Sequence, residues 1–358
     1  MTGSRMRTRS RPLHRGPALV TLALGICVVT TAAAQPGTAA RLSDLSAHLG
    51  ANTAVAPGTA RALVRAAGPG GPVELVSFDR RTRTVTARQS VALACERVHA
   101  AAAGLIACMR YNRALSGASQ VDLFDRTLTL LHPQPIQSNA VISRTRVSAD
   151  GRYTATTVFV SGHSYAVPGQ FSTLSHIWDS RERRMALAFD KLTLTHEGQV
   201  VPYTPHTQVN YWGASFDPRD ADRFYVTVSI RKRPYLAEGR ISQAAVRTLR
   251  PDVECPSVSP DGTRIAFKKL RANRRGWDPA VLDLRSGTET VYPAAKGLDD
   301  QIEWLDDQAL VYEATETVMG GAKTHLMLLD LSQAKPTERL WLADAASPAL
   351  VSPVLPLR

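Results

Sequence analysis

An aspartate-centred turn recurs along the chain, and its spacing limits the fold more than any other feature. It is clearest in "CPSVSPDGTRIAFKK", Cys255 to Lys269, where an apolar strand stops at Asp261-Gly262 and restarts at once as a second one. The same turn stands at Asp150-Gly151 in "VSADGRYTAT", in a longer form at Asp217 in "ASFDPRDADRFYVTV", and without glycine at Asp306 in "IEWLDDQALVYEA". Asp accepts hydrogen bonds from turn amides and Gly supplies a positive φ, so these residues are expected to be structural. From Asp217 to Asp261 is 44 residues and from Asp261 to Asp306 is 45, the length of one four-stranded propeller blade. The step of 67 from Asp150 to Asp217 implies an insertion.

A second ladder marks the other hairpin of each unit. Short apolar strands end on an acid and turn at Asp79, Asp125, Asp179, Asp283 and Asp330, in steps of 46, 54, 104 and 47. The step of 104 spans two units, one of them hidden in "GRISQAAVRTL", where no acid occupies the turn. The count is six. One step past Asp306 lies "SPALVSPVL", a lone first strand with no partners after it. Its natural partner is the N-terminal hairpin "PVELVSFDRRTRTVTA", which lacks a first strand of its own, and such pairing hides two edges that a linear stack would leave open. The expected fold is therefore all-β: a six-bladed propeller of four-stranded antiparallel blades, closed through its termini.

On the motif "ECPSVSPDGTRIAFKK" and its weaker copy "VSADGRYTA", the sequence resembles the TolB-like β-propeller family. The resemblance covers residues 71 to 356 and departs from the motif at Asp217 and Asp306. It implies a six-bladed exported propeller that acts through protein contacts. The namesake's separate N-terminal domain has no counterpart in Gln35 to Gly71, so its translocation role does not carry over.

Residues 1–34 read as a secretory signal peptide: five arginines, the apolar run "ALVTLALGICVVT", and the small-residue site "TTAAAQ". An uncleaved anchor is the alternative. Residues 35–70, rich in Ala, Gly and Pro, are expected to be a flexible segment, and 71–358 the propeller. The product is then secreted or held at the cell surface. Of the net charge of +12, the leader's five arginines carry five, leaving a moderately basic protein whose excess by itself does not argue for nucleic acid. Export permits a disulfide, and Cys95 and Cys108, which flank an Ala/Gly-rich bend, are expected to form it, with Cys255 free and buried.

No catalytic motif emerges. No G-x-S-x-G occurs, and six units of about 45 residues leave no room for a hydrolase domain. His163, His176, His196 and His206 lack the close pairing of metal ligands, so neither a metal nor another cofactor is expected. The constellation that remains is electrostatic. "IRKRPYLAEGR" and "KKLRANRRGWD" both follow the second strand of their units, and connections from strand two to strand three all open on one face. Arg231, Lys232, Arg233, Lys268, Lys269, Arg271, Arg274 and Arg275 are expected there side by side, with Tyr235 and Trp277 among them. Such a patch suits an anionic partner; the plainer alternative is solvated loop charge. The expectation is a non-catalytic, monomeric binding module for an envelope protein or an anionic wall or lipid polymer. A lactonase- or lyase-type enzyme with a site in the central channel is the alternative. Against it, the readable inner strands offer mostly Ser and apolar residues.

Overall fold

The computed structural model describes residues 58–351, apart from 67, 69, 113–117, 138–139, 161–171, 274, 295–297, 299–301 and 319–320. Six sheets follow one another along the chain, and in four of them the strands run in sequence order from the axis outward. The first holds β1 (Thr59–Ala66), β2 (Pro72–Asp79) and β3 (Val85–Ala94). The second holds β4 (Arg97–Ala100), β5 (Ile106–Asn112), β6 (Ala118–Phe124) and β7 (Leu130–Gln137). The third holds β8 (Val141–Val147), β9 (Tyr153–Phe159), β10 (Thr173–Asp179) and β11 (Arg184–Ala188). A two-stranded insertion, β12 (Thr193–His196) and β13 (Gln199–Val200), precedes the fourth, which is β14 (Asn210–Asp217), β15 (Asp220–Ile230), β16 (Arg233–Arg240) and β17 (Ala245–Pro251). The fifth is β18 (Glu254–Val258), β19 (Arg264–Leu270), β20 (Trp277–Asp283) and β21 (Glu289–Val291). The sixth is β22 (Glu303–Asp306), β23 (Ala309–Val318), β24 (Gly321–Asp330) and β25 (Thr337–Leu342). Last comes β26 (Ala345–Leu350), which returns to the first sheet as its innermost strand.

This is the six-bladed, all-β ring that the two ladders imply, and it closes as expected. One detail differs. The strand beside β26 is β1, through pairs such as Ala62 with Leu350 and Ala66 with Ala345. The stretch 35–70 is thus not flexible throughout: Thr59–Ala66 is a ladder strand that enters the ring ahead of "PVELVSF". Ala60, Ala62, Leu63 and Val64 are all buried. Small alanines alternating with arginine carry little hydrophobic signal, yet they suit a strand squeezed between two neighbours. The insertion implied between Asp150 and Asp217 includes β12, which lies parallel to β17 and widens the fourth sheet to six strands.

The turn acids act as their chemistry requires. Asp261 accepts from Thr263 N at 2.9 Å and from Ser259 Oγ at 2.6 Å, while Gly262 adopts φ +68°. Asp150 does the same for Arg152 N at 3.1 Å, beside Gly151 at φ +71°. Asp217 caps Arg219 N at 2.9 Å, and Asp306 caps Gln308 N at 2.7 Å. In the unit whose turn lacks an acid, Asp222 reaches across from β15 and accepts from Ser242 N at 2.7 Å.

The buried apolar side chains fall into six clusters, and each one straddles two successive blades. Tyr153 and Ile177 of the third blade meet Phe216 and Val226 of the fourth. Val311 and Trp341 of the sixth meet Val64 and Phe78 of the first, with Phe78 edge-on to Trp341 at 5.6 Å. A blade therefore has no core of its own. Burying a residue such as Phe78 against its neighbour contributes roughly 1.5–3 kcal/mol, so stability belongs to the ring. Arg83 fastens the same junction at the rim, paired with Asp306 at 2.9 Å and Asp330 at 3.0 Å.

The expected disulfide is present. Cys95, just past β3, is bonded to Cys108 on β5 and so ties the first blade to the second. Cys255 is free and buried. Among the described residues no helix is long and apolar enough to cross a membrane.

Candidate functional site

The innermost strands β4, β8, β14, β18, β22 and β26 ring the axis. Three of them bulge with a residue in the left-handed region: Gly213 at φ +66°, Cys255 at +51° and Ser347 at +50°. The ladder slips at each of these points, and such bulges re-aim the residues that follow. Two positions on, Ser215 Oγ accepts from Val258 N at 3.2 Å, and Ser257 Oγ accepts from Arg146 Nη2 at 2.9 Å. The inner strands are thus joined by side chains across the axis, with no ladder between them.

Where the strand-one to strand-two turns gather, the axis opens into a funnel of about 480 Å³ to which all six inner strands contribute. Its walls are mostly apolar, with Ala101, Val147, Phe216, Val258, Trp304 and Leu350 among them, and Asp150 and Arg219 stand at the rim. The floor is charged and buried. Arg146 Nη1 donates to Glu303 Oε2 at 2.6 Å, and Nη2 donates to Ile302 O at 2.6 Å. Leu350 N donates to Glu303 Oε1 at 3.3 Å, which fastens the closing strand to the same carboxylate. Burial opposes the Glu303 charge, but Arg146, His99 and this amide outweigh it and hold the carboxyl down to about 2.

His99 completes the floor. Its Nδ1 accepts from Val147 N at 3.1 Å, and its Nε2 lies 3.2 Å from Arg146 Nη1 and 3.7 Å from Glu303 Oε2. Burial, abetted by Arg146, pushes its pKa down, against the pull of Glu303. Arg146, Glu303 and His99 are 8 %, 7 % and 8 % exposed, so the pair carries its charge away from water, where removing one partner is far costlier than the pair's net worth.

The inner strands are therefore not merely Ser and apolar, as expected from the sequence. Arg146 stands just ahead of "VSADGRYTAT" and Glu303 within "IEWLDDQALVYEA", four and three places before the turn acids Asp150 and Asp306. His99 lies in "CERVHAAAAG", on an inner strand that carries neither ladder marker. Among the described residues no three His, Cys, Asp or Glu side chains are grouped to hold a metal ion. Of the histidines considered from sequence, His176 is half-buried, His206 is exposed, and His196 packs on Tyr235 with ring centres 4.8 Å apart; His163 lies outside the described residues.

The basic face is only partly as expected. The two turns do open on the same side, opposite the funnel, since both follow second strands. Arg231, Lys232, Arg233 and Arg275 are exposed. Lys268 is not: it is 2 % exposed, with its ammonium 4.1 Å from the Trp277 ring centre. Second strands are covered by blades on both sides, so neighbouring residues of β19 are buried together. Trp277 is turned to that role, its indole N–H donating to Glu254 at 2.9 Å. Lys269 is paired with Glu289 at 3.0 Å and Arg271 with Asp278 at 2.8 Å. Arg233 lies 5.6 Å from the Tyr235 ring centre and 3.3 Å from Asp252. Arg274 lies outside the described residues. The patch contracts to the hairpin tip of the fourth blade, with Arg275 at the equivalent turn of the fifth.

No family model matches the chain, and no curated protein does. Among solved structures it is similar to TolB from Acinetobacter baumannii, at 13% identity over 90% of this chain and 89% of that one, with a TM-score of 0.36. It is similar also to a putative TolB from Agrobacterium tumefaciens, at 11% identity over 81% and 93%, with a TM-score of 0.47. A dihydro-heme d1 dehydrogenase, NirN, shows 17% identity over 78% of this chain and 53% of its own, with a TM-score of 0.39. At these identities the likeness concerns architecture and nothing finer.

Proposed function

We propose that this chain is an exported, non-catalytic propeller that receives a segment of an envelope protein in its axial funnel. The observation that carries this reading is one cavity, walled by apolar side chains from all six inner strands, above a polar floor whose groups already bind one another. Its volume of about 480 Å³ falls in the range of ligand sites and holds a few side chains. General acid–base work needs groups that exchange protons near the working pH. Glu303 is held ionised by Arg146, while burial disfavours the charged form of His99, whose Nδ1 accepts from the backbone. These groups fix the shape of the funnel. The Cys95–Cys108 disulfide supports an oxidising compartment, and with it export.

A channel enzyme would draw on the same His99 and Glu303, so one experiment separates the readings. Ala102 is exposed at the funnel wall, and Ala102→Trp fills the space without touching the ionic floor. Capture of a partner from envelope extract should be lost in this variant and kept by His99→Gln, at melting temperatures close to wild type. Equal capture by wild type and the filled variant sinks the proposal, as does turnover of a small substrate that His99→Gln abolishes.

A further inference from the structure

The connection between β15 and β16 is the shortest a hairpin allows. Ile230 pairs with Arg233, so Arg231 and Lys232 alone make the turn. Their φ angles are 51° and 67°, both in the left-handed region. Two-residue turns of this shape are ordinarily Asn-Gly or Gly-Gly, because the Cβ of other residues crowds the backbone there. Here both places hold long cationic side chains, which gain nothing from the conformation. Both are exposed. What the pair adds is charge on a convex tip, at a conformational cost that Asn-Gly would avoid, and sites kept against stability are where function is to be sought.

The surroundings define the chemistry. Arg233 follows directly, and its surface pair with Asp252 leaves the two side chains 55% and 47% exposed. Exposed Arg275 stands at the same topological position in the next blade. Arg231 N donates to Thr207 O at 2.9 Å, which seats the tip beside the 202–207 segment, where Tyr203 is 42% exposed. Three consecutive cations thus stand at the tip with one carboxylate paired to Arg233, and Arg275 joins them on the same face from the next blade. An exposed cationic hairpin tip suits an anionic surface.

We infer that this face rests on an anionic phospholipid bilayer, with Arg231, Lys232, Arg233 and Arg275 among the headgroup phosphates. The funnel then opens away from the membrane, toward a partner. Each such cation strengthens partitioning by about fivefold, so losing two weakens it about 25-fold.

The test is the double variant R231N/K232G in the full chain, sedimented with vesicles of phosphatidylglycerol and phosphatidylcholine. Wild type should bind the mixed vesicles, release at high salt, and ignore vesicles of phosphatidylcholine alone. The variant should bind about 25-fold more weakly and yet melt at a higher temperature, because its turn is relaxed. That combination separates lost contact from lost fold. Equal partitioning of wild type and variant overturns the inference, as does binding to phosphatidylcholine alone. So does capture of soluble polyphosphate without any vesicle binding, which would make the ligand a polymer. A variant that melts lower removes the strain argument and the inference with it.

Discussion

At the residue scale the telling group is Glu303, a carboxylate buried on the axis with Arg146 as its counter-ion. Its folded pKa, about 2, lies below the ordinary 4.5. The stability it lends is complete above 4.5 and is lost as pH falls toward 2. The histidines act sooner. Burial lowers His99, His132 and His176 from 6.5, so below that pH the unfolded chain takes up protons the folded one refuses. Stability should therefore decline from about pH 6.5 downward and steepen below about 4.5. Urea midpoints across this range check it. Glu303→Gln should flatten the lower limb and cost about 3–5 kcal/mol at neutral pH by leaving Arg146 buried without its counter-ion. An unchanged lower limb in that variant would show that the axial carboxylate is not what titrates.

At the scale of the element, most of the strands were legible because turn chemistry is local. Asp150, Asp261 and Asp306 bond to amides within a few residues, so their signature survives in a linear string. Lys268 and Lys269 were not, because strand alternation fails where blades cover both faces of β19. The bulges at Gly213, Cys255 and Ser347 were equally hidden: nothing in the sequence around Cys255 or Ser347 announces a left-handed residue. Close packing between strands leaves a sharper mark at Gly239 on β16. A Cβ there would lie 2.4 Å from Phe224 Cζ and 2.6 Å from Val246 Cγ1. Gly239→Ala should cost about 1–3 kcal/mol by overpacking, read as a lowered urea midpoint. Gly68→Ala, with nothing within 4 Å of its added methyl, is the matched control and should leave the midpoint in place.

For the whole molecule, the ladders gave six units and the closing strand, while the funnel floor was illegible. His99, Arg146, Ser257 and Glu303 come from four different blades, and only closure of the ring makes them neighbours. Closure is testable at Ala349, fully buried opposite Leu63. Ala349→Glu would force a charge between β26 and β1, and its expected cost of several kcal/mol should appear as a large loss in melting temperature. Melting within a degree or two of wild type would mean that β26 is dispensable.

The pairing of β26 with β1 also fixes an order of events. A ribosome or an export channel releases Thr59 long before Ala345, so the first blade waits without its innermost strand while the other five emerge. Over that interval the edge of β1 is open, next to apolar faces that have no partner, and a neighbouring copy of the chain offers an equivalent β26. Misassembly by strand exchange is the hazard built into such a contact. Closing so distant a pair is also slow. The Cys95–Cys108 bond needs no such wait: it ties the first blade to the second as soon as both cysteines have emerged, and gives the unfinished ring a rigid end on which β26 can land.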